Sequence, residues 1–113
     1  MNDDRPTGAR LEDARLYAHE VRHIASRTNS GALAGHDYLA IRYCLVVIGG
    51  TLDKVPDTVL SGESGIPWRR IVGLRHRLVH AYWLIDHDII LEIARNEMVP
   101  LIAALDRLIA GVK

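Results

Sequence analysis

The chain has 113 residues and a mass of 12.6 kDa, which is the size of one ordinary domain. Hydrophobic residues make up 49% and charged residues 25% of it, a globular composition that excludes disorder of the whole chain. The 14 basic and 14 acidic residues cancel, so net charge alone argues against a nucleic-acid partner.

The one cysteine, Cys44, excludes an internal disulfide framework and a zinc site built from several cysteines. It lies in the apolar run 41–48, where a thiol is typical of a hydrophobic core rather than of a nucleophile. The polar N-terminus lacks a signal-peptide pattern, so we expect a cytoplasmic protein. The run is far shorter than the roughly 20 apolar residues that cross a bilayer, and we expect no membrane partner.

The N-terminal half predicts a flexible tail over residues 1–8 and then two helices. Asp37 is a candidate N-cap of the second helix, from about residue 38 to residue 52, whose apolar middle indicates burial on more than one side. The β-branched residues 46–48 leave a buried strand as an alternative. The first helix is predicted by apolar residues that recur at steps of three and four: Leu11, Ala14, Ala18, Val21 and Ala25.

The C-terminal half predicts a connection over residues 54–65, with a short helical turn around residues 58–60, and two more helices. Pro67 suits the first turn of a third helix that reaches His80 or beyond, and Asp86 is a candidate N-cap of a fourth. Pro100 predicts a kink or break near Val99. The fourth helix carries an apolar stripe: Ile90, Ala94, Met98, Leu101, Leu105 and Leu108. We therefore expect a single all-α domain, a bundle of four to five helices.

The first helix contains the pattern H-E-x-x-H, with His19 and His23 one turn apart and Glu20 between them. In zinc peptidases this spacing provides two metal ligands and a general base. Such enzymes also need a third ligand and a sheet that binds the substrate. We therefore favour two solvent-facing histidines and expect no metal and no cofactor, with a zinc peptidase as an alternative.

The third helix lies in the strongly basic segment 64–83, whose formal charge is +4. The segment has no acidic residue, and its bases and histidines are Arg69, Arg70, Arg75, Arg77, His76 and His80. Arginine suits bidentate recognition of phosphate, although these side chains could also cap the helix or pair with acids that follow residue 85. Zero net charge thus conceals a candidate anion-binding helix.

Helical geometry separates these residues into faces. His76 and His80, four apart, share a face, whereas Arg75 and His80 lie about 140° apart on an ideal helix. One chain would bring Arg75 to His80 only if the helix ended or distorted between them. Two copies that meet at a two-fold axis provide another route.

The block from Ile66 to Tyr82, I-P-W-R-R-I-V-G-L-R-H-R-L-V-H-A-Y, resembles the central block of the HepT family, formerly DUF86, within the HEPN superfamily. The resemblance includes the motif R-x4-H-x-Y, as Arg75, His80 and Tyr82, and extends in weaker form from about residue 37 to residue 108. Two positions depart from the family pattern. His76 stands where Asn or Asp is usual, and Gly49-Gly50 stands where the second helix usually has an acid.

The resemblance implies an all-helical homodimer and the toxin of a toxin–antitoxin pair, with a composite ribonuclease site at the dimer interface. It also implies a partner, an MntA-type minimal nucleotidyltransferase antitoxin that transfers AMP to the motif tyrosine, here Tyr82. Carried over by position, Arg75 and His80 are catalytic.

Physical chemistry adds further roles and an alternative to this expectation. His76 is a candidate for a second proton-transfer group, and Arg69, Arg70 and Arg77 are candidates for binding the RNA backbone. The two departures favour a different outcome, a catalytically inactive module that binds RNA, a nucleotide or the nucleotidyltransferase.

Overall fold

The computed structural model describes residues 5–27, 35–81 and 86–112, and this part of the chain forms helices without any strand. The helices are α1 (Thr7–Ser26), α2 (Gly35–Leu52), α3 (Asp57–Leu60), α4 (Trp68–His80), α5 (His87–Glu92) and α6 (Met98–Val112), with a π-helical turn, Ile93–Glu97, between α5 and α6. The expected all-α bundle is confirmed. The strand alternative for residues 46–48 is wrong, because these residues lie inside α2.

One hydrophobic core holds the bundle together. Helix α1 packs against α2 and α6, and α2 also packs against α4, which explains why the middle of α2 is apolar on every side. The predicted stripe of α1 faces this core, with Leu11, Ala14, Ala18 and Val21 fully buried. An ion pair between Arg15 and Asp106 links α1 and α6 at the surface.

Two predicted helix starts are displaced in the structure. Helix α1 begins at Thr7, two residues inside the predicted tail, while residues 1–4 of that tail lie outside the described part. Helix α2 begins at Gly35, so Asp37 lies in its first turn and is not the predicted N-cap. The Asp37 carboxylate instead accepts a hydrogen bond of 3.2 Å from Arg27, at the end of α1.

The C-terminal helices form one continuous helical segment from residue 87 to residue 112. The predicted cap is confirmed, because the Asp86 carboxylate accepts a 2.8 Å hydrogen bond from the Asp88 N–H. The predicted kink or break near Val99 does not take the form of a break, because residues 87–112 are helical without interruption. Pro100 lacks an N–H, and its ring crowds the carbonyl of residue 96; the wide π-helical turn that contains residue 96 accommodates this without ending the helix.

Cys44 is buried in the core, as predicted. Burial raises the pKa of its thiol, and the nearby Glu20 carboxylate raises it further, so the reactive thiolate is disfavoured. Within the described residues, no helix is long and apolar enough to cross a membrane.

Candidate active site on helix α4

Helix α4 runs antiparallel to α2, which fixes the position of the basic segment. The Arg42 side chain of α2 donates a 3.2 Å hydrogen bond from Nη2 to the carbonyl oxygen of Leu78, near the end of α4. The Arg42 guanidinium carbon also lies 5.7 Å from the ring centroid of Tyr38, a cation–π distance. Arg42 therefore ties the C-terminal part of α4 to the first half of α2.

Helices α2 and α4 lie very close together at Gly49. A Cβ atom added to Gly49 would lie 2.2 Å from Cβ of Arg75 and 3.2 Å from the carbonyl oxygen of Ile71. The first distance is a steric overlap, so only glycine allows this approach. Arg75 thus leaves α4 directly against the backbone of α2.

The Arg75 side chain continues over Gly50. Its Nε is buried and has no hydrogen-bond partner among the described residues, and a Cβ on Gly50 would lie 3.7 Å from this atom. A carboxylate at position 50 would therefore face Arg75. Because this chain has glycine there, no carboxylate from position 50 neutralises the guanidinium.

His76 and His80 form the predicted pair on one face of α4. Their ring centroids are 4.5 Å apart and the ring planes are tilted by 46°. Both side chains are exposed. Two imidazoles in contact at the surface are two candidate groups for proton transfer.

Arg75 and His80 stay on different faces of α4 within one chain. The helix is α-helical from Trp68 through His80 and ends only at Ala81, so the expected separation of about 140° around the axis is retained. Arg75 points towards α2, whereas His80 lies beside His76 in solvent. A single chain does not bring the two motif residues together.

The other three arginines of α4 divide between two sides of the helix. Arg70 and Arg77, seven residues apart, line a largely apolar cavity of about 420 Å³ between α4 and the α5–α6 segment, whereas Arg69 lines another cavity of about 250 Å³. Arg70 also forms a 2.7 Å ion pair with Glu97. Exposed pairs of this kind are weak, so Arg70 remains able to bind another anion.

Comparison with known proteins identifies the family of this chain. Residues 15–108 match the family described as Ribonuclease HepT-like, a span that includes α4 and nearly all of the core. The chain belongs to the HepT-like ribonuclease family.

Curated relatives of this HepT-like chain are named as ribonucleases. It is 28% identical over 76 residues to a protein of Methanocaldococcus jannaschii named "Putative RNase MJ1216". The matched region covers 67% of this chain and 62% of that protein. It is 34% identical over 61 residues to "Putative RNase MJ0125" of the same organism, with 54% and 52% coverage. The chain thus spans less than two thirds of these relatives. No solved structure matches the chain significantly.

The motif tyrosine of the HepT-like chain, Tyr82, lies outside the described residues. The segment 82–85 that contains it connects α4 to α5. At the start of α5, His87 stacks on Tyr38 of α2 with ring centroids 3.9 Å apart.

The H-E-x-x-H histidines lie away from α4, on α1. His19 and His23 are exposed and line an open cavity of about 530 Å³ together with Arg22 and Arg95. No group of three or more His, Cys, Asp or Glu side chains suited to a metal ion occurs among the described residues. The two guanidinium groups beside these histidines disfavour a dication.

Sequence reasoning missed Arg42 and Gly49, the two residues of α2 that position α4. Arg42 had a visible signal, because it is a lone charge within the apolar stretch 38–48 and so needs a specific partner. Gly49 had none, because its role depends on which residue of α4 lies opposite it.

Proposed function

We propose that this chain is the toxin of a toxin–antitoxin pair, a metal-independent ribonuclease that acts in the cytoplasm. The observation that carries the proposal is the exposed His76–His80 pair on the same helix as Arg75, whose Nε has no hydrogen-bond partner among the described residues. Family membership supports cleavage of RNA as the reaction class.

The proposed reaction is attack of the ribose 2′-oxygen on the adjacent phosphorus. One imidazole takes the proton of the 2′-hydroxyl, the bond from phosphorus to the 5′-oxygen breaks, and a second group gives its proton to that oxygen. Arg75 stabilises the negative charge that develops on the phosphoryl oxygens. The products are a 2′,3′-cyclic phosphate and a free 5′-hydroxyl, so no metal-bound water is required.

A homodimer completes this site. Because Arg75 and His80 point to different sides of one α4 helix, a two-fold axis beside α4 is the arrangement that places Arg75 of one copy near His80 of the other. Such an axis also doubles the local +4 charge. Arg69, Arg70 and Arg77 then hold the RNA backbone on either side of the cleft.

The test of the ribonuclease proposal is cleavage of RNA by purified protein in the presence of EDTA. Loss of a general acid or base costs about 10²–10⁴-fold, so we expect His80→Ala and Arg75→Ala each to lower kcat by at least about 100-fold. Lys54→Ala, which removes an exposed charge from the turn that follows α2, is the control. Wild-type rates in the Arg75 and His80 variants would sink the assignment, and activity that disappears with EDTA would sink metal independence.

The proposed partner is an MntA-type minimal nucleotidyltransferase, which silences the toxin by transferring AMP to Tyr82. Co-expression with that enzyme followed by intact-mass measurement tests this step. We expect an AMP-sized increment on wild type, none on Tyr82→Phe, and an unchanged increment on Tyr43→Phe, since Tyr43 is an exposed tyrosine of α2. An unmodified wild-type protein would contradict the proposal.

A second candidate function is a binding module without catalysis. The observation in its favour is Gly50, which leaves Arg75 without the carboxylate that the family pattern usually supplies. Expression in a bacterial host separates the two candidates. The enzyme arrests growth and His80→Ala relieves the arrest, whereas the module binds RNA in vitro and leaves growth unaffected.

A further inference from the structure

The apolar cavity beside α4 adjoins the histidine pair. It lies between α4 and the α5–α6 segment and has a volume of about 420 Å³, within the range of about 300–1,000 Å³ that is typical of sites for small ligands. Arg77 lines it and is three residues from His80, so the two side chains are neighbours on the surface of α4. A ligand in this cavity therefore lies next to the proposed proton-transfer groups.

Partly exposed aliphatic side chains form two sides of the cavity. Ile71 and Leu74 line it from α4, and Ile89 and Ile93 line it from the α5–α6 segment. None of the four is fully buried, and Ile89 is 51% exposed. Removal of apolar surface from water is favourable, so the cavity favours a ligand with a broad apolar face.

Two arginines and two glutamates also line this cavity: Arg70, Arg77, Glu92 and Glu97. Arg70 and Glu97 form the ion pair of 2.7 Å. Arg77 and Glu92 are exposed, and neither forms an ion pair within the part of the chain that the structure describes. The segment 82–85, which lies between them in the chain, contains no acidic or basic residue. One guanidinium and one carboxylate are thus available to a ligand.

The π-helical turn brings the two carboxylates to the same cavity. Glu92 directly precedes the turn and Glu97 ends it, so they are five residues apart. In an α-helix this spacing separates two side chains by about 140° around the axis. The hydrogen bonds of a π-helix instead join residues five apart and place them on one side, and such turns occur frequently at functional sites. The turn therefore gives the apolar cavity its hydrogen-bond acceptors.

An apolar space with an arginine and a carboxylate at its lining matches the chemistry of one nucleotide. A nucleobase has two apolar faces and a polar edge, and its neighbouring phosphate is an anion. Proteins that recognise single-stranded RNA commonly enclose an unstacked base and form hydrogen bonds with its Watson–Crick edge. A carboxylate offers two acceptor oxygens, and guanine is the RNA base with two neighbouring N–H donors on that edge, at N1 and N2.

We propose that the apolar cavity beside α4 binds a nucleobase of the RNA strand next to the cleaved bond and selects guanine. This inference rests on the proposed ribonuclease function and names the base that the same site prefers. The aliphatic side chains of α4 and α5 enclose the faces of the ring. Glu92 accepts hydrogen bonds from the base edge, and Arg77 donates to the adjacent phosphate.

The first test measures binding of 2′-O-methyl pentamers, which lack the attacking 2′-hydroxyl, by fluorescence anisotropy. The pentamers contain uridine at every position except the central one, which is guanosine, adenosine, cytidine, uridine or an abasic nucleotide. Hydrogen bonds to a charged group contribute about tenfold or more in affinity. We therefore expect wild type to bind the guanosine pentamer at least about tenfold more tightly than the abasic one, and the other three pentamers with intermediate affinity.

The carboxylate is tested by Glu92→Gln, which removes its charge and keeps its size. This variant should bind the guanosine pentamer about tenfold more weakly than wild type and the abasic pentamer equally well. Glu12→Gln, at an exposed carboxylate of α1 outside this cavity, is the matched control and should bind as wild type does. Equal affinity of wild type for all five pentamers, or full preference for guanosine in Glu92→Gln, would overturn the inference.

The apolar side of the cavity is tested by Ile89→Ala. Val99→Ala is its matched control, because Val99 has the same exposure of 51% and lies outside the cavity lining. One buried methylene is worth about fourfold in affinity, so Ile89→Ala should weaken binding of the guanosine pentamer by at least about that factor relative to the control. Sedimentation equilibrium of both variants tests another occupant. If Ile89→Ala weakens self-association and keeps the preference for guanosine, a second copy of the chain covers the cavity and the inference is wrong.

Cleavage of mixed-sequence RNA separates this inference from the proposed function. We expect wild type to cleave mainly next to guanosine and Glu92→Gln to cleave without this preference. A protein that binds the guanosine pentamer through Glu92 but cleaves no RNA would remove the ribonuclease proposal and keep the base site. Cleavage by wild type that is independent of base sequence would remove the base site alone.

Discussion

The two outer sides of the bundle are packed very differently. Helix α6 buries seven of its fifteen residues, and Leu105 and Ala104 have no exposed surface. Helix α4 buries two of thirteen, Trp68 and Leu78. The α1–α6 side therefore supplies apolar burial, the main favourable term in folding, while α4 keeps most of its polar side chains in contact with solvent.

Helix α2 joins these two sides and serves them in different ways. Into the core it presents large apolar side chains such as Ile41 and Ile48, which are buried almost completely. Towards Arg75 it presents the bare backbone of Gly49. The difference teaches that α4 is positioned by close approach to the backbone of α2 and by the Arg42 hydrogen bond rather than by a thick apolar layer.

The largest expected effect on stability comes from the α6 side. Leu105→Ala leaves a cavity in the packed core and should lower the free energy of unfolding by about 2–5 kcal/mol. Urea denaturation followed by circular dichroism measures this loss. RNA cleavage should persist at temperatures where the variant remains folded, since Leu105 lies away from α4.

The matched control for this substitution is Val99→Ala, at an exposed position of the same helix. Its effect should stay within about 0.5 kcal/mol. If the two variants lost equal free energy of unfolding, the difference in packing between the buried and exposed faces of α6 would be contradicted.

A smaller effect is expected at the α2–α4 contact, from Gly49→Ala. The added Cβ overlaps Cβ of Arg75, and relief by a shift of α4 should cost about 1–3 kcal/mol. Because Arg75 moves with α4, RNA cleavage should fall as well, in contrast to the result expected for Leu105→Ala. Denaturation and cleavage assays on the same sample measure the two effects.

Two other glycines serve as controls for Gly49. An added Cβ at Gly50 meets its nearest neighbour at 3.7 Å, and one at Gly73 of α4 meets nothing within 4 Å. Alanine at an interior helix position is favoured over glycine by about 0.5–1 kcal/mol, so both controls should be neutral or stabilising. A destabilised Gly73→Ala protein would show that α4 is intolerant as a whole and that Gly49 is not special.

The core packing of α6 and the contact between α2 and α4 also show how far the sequence predicts the fold. The helices were predictable because burial on one side leaves a period of three and four residues, as along Leu101, Leu105 and Leu108, and because Asp86 caps its helix by a local hydrogen bond. The position of Asp37 was misjudged, because its partner Arg27 comes from another helix. A local pattern carries no information about such a partner.

The candidate site was predictable to a similar extent, because only its local contacts follow from the sequence. The contact between His76 and His80 follows from their spacing of four on one helix. The close contact of Arg75 with Gly49 and Gly50 does not follow from the sequence, because it depends on which residues of α4 lie opposite α2. The π-helical turn also had no local signal, since Pro100 indicated an irregularity but not that the helix would absorb it one turn earlier.

The smallest expected effect is at the ion pair between Glu63 and Arg107, which links the loop before α4 to α6. The Arg107 guanidinium hydrogen-bonds the Glu63 carboxylate and lowers its pKa below the ordinary value of 4.5. A carboxyl group whose pKa is lowered by folding stabilises the protein above its unfolded pKa and loses this contribution as pH falls through its folded pKa. Arg107→Gln should therefore lower Tm slightly at pH 7, and the difference from wild type should disappear well below pH 4.5. Lys54→Gln, at an exposed lysine in the turn that follows α2, is the control. A pH-independent loss of Tm in Arg107→Gln would show that packing of the arginine stem, rather than its charge, joins the loop to α6.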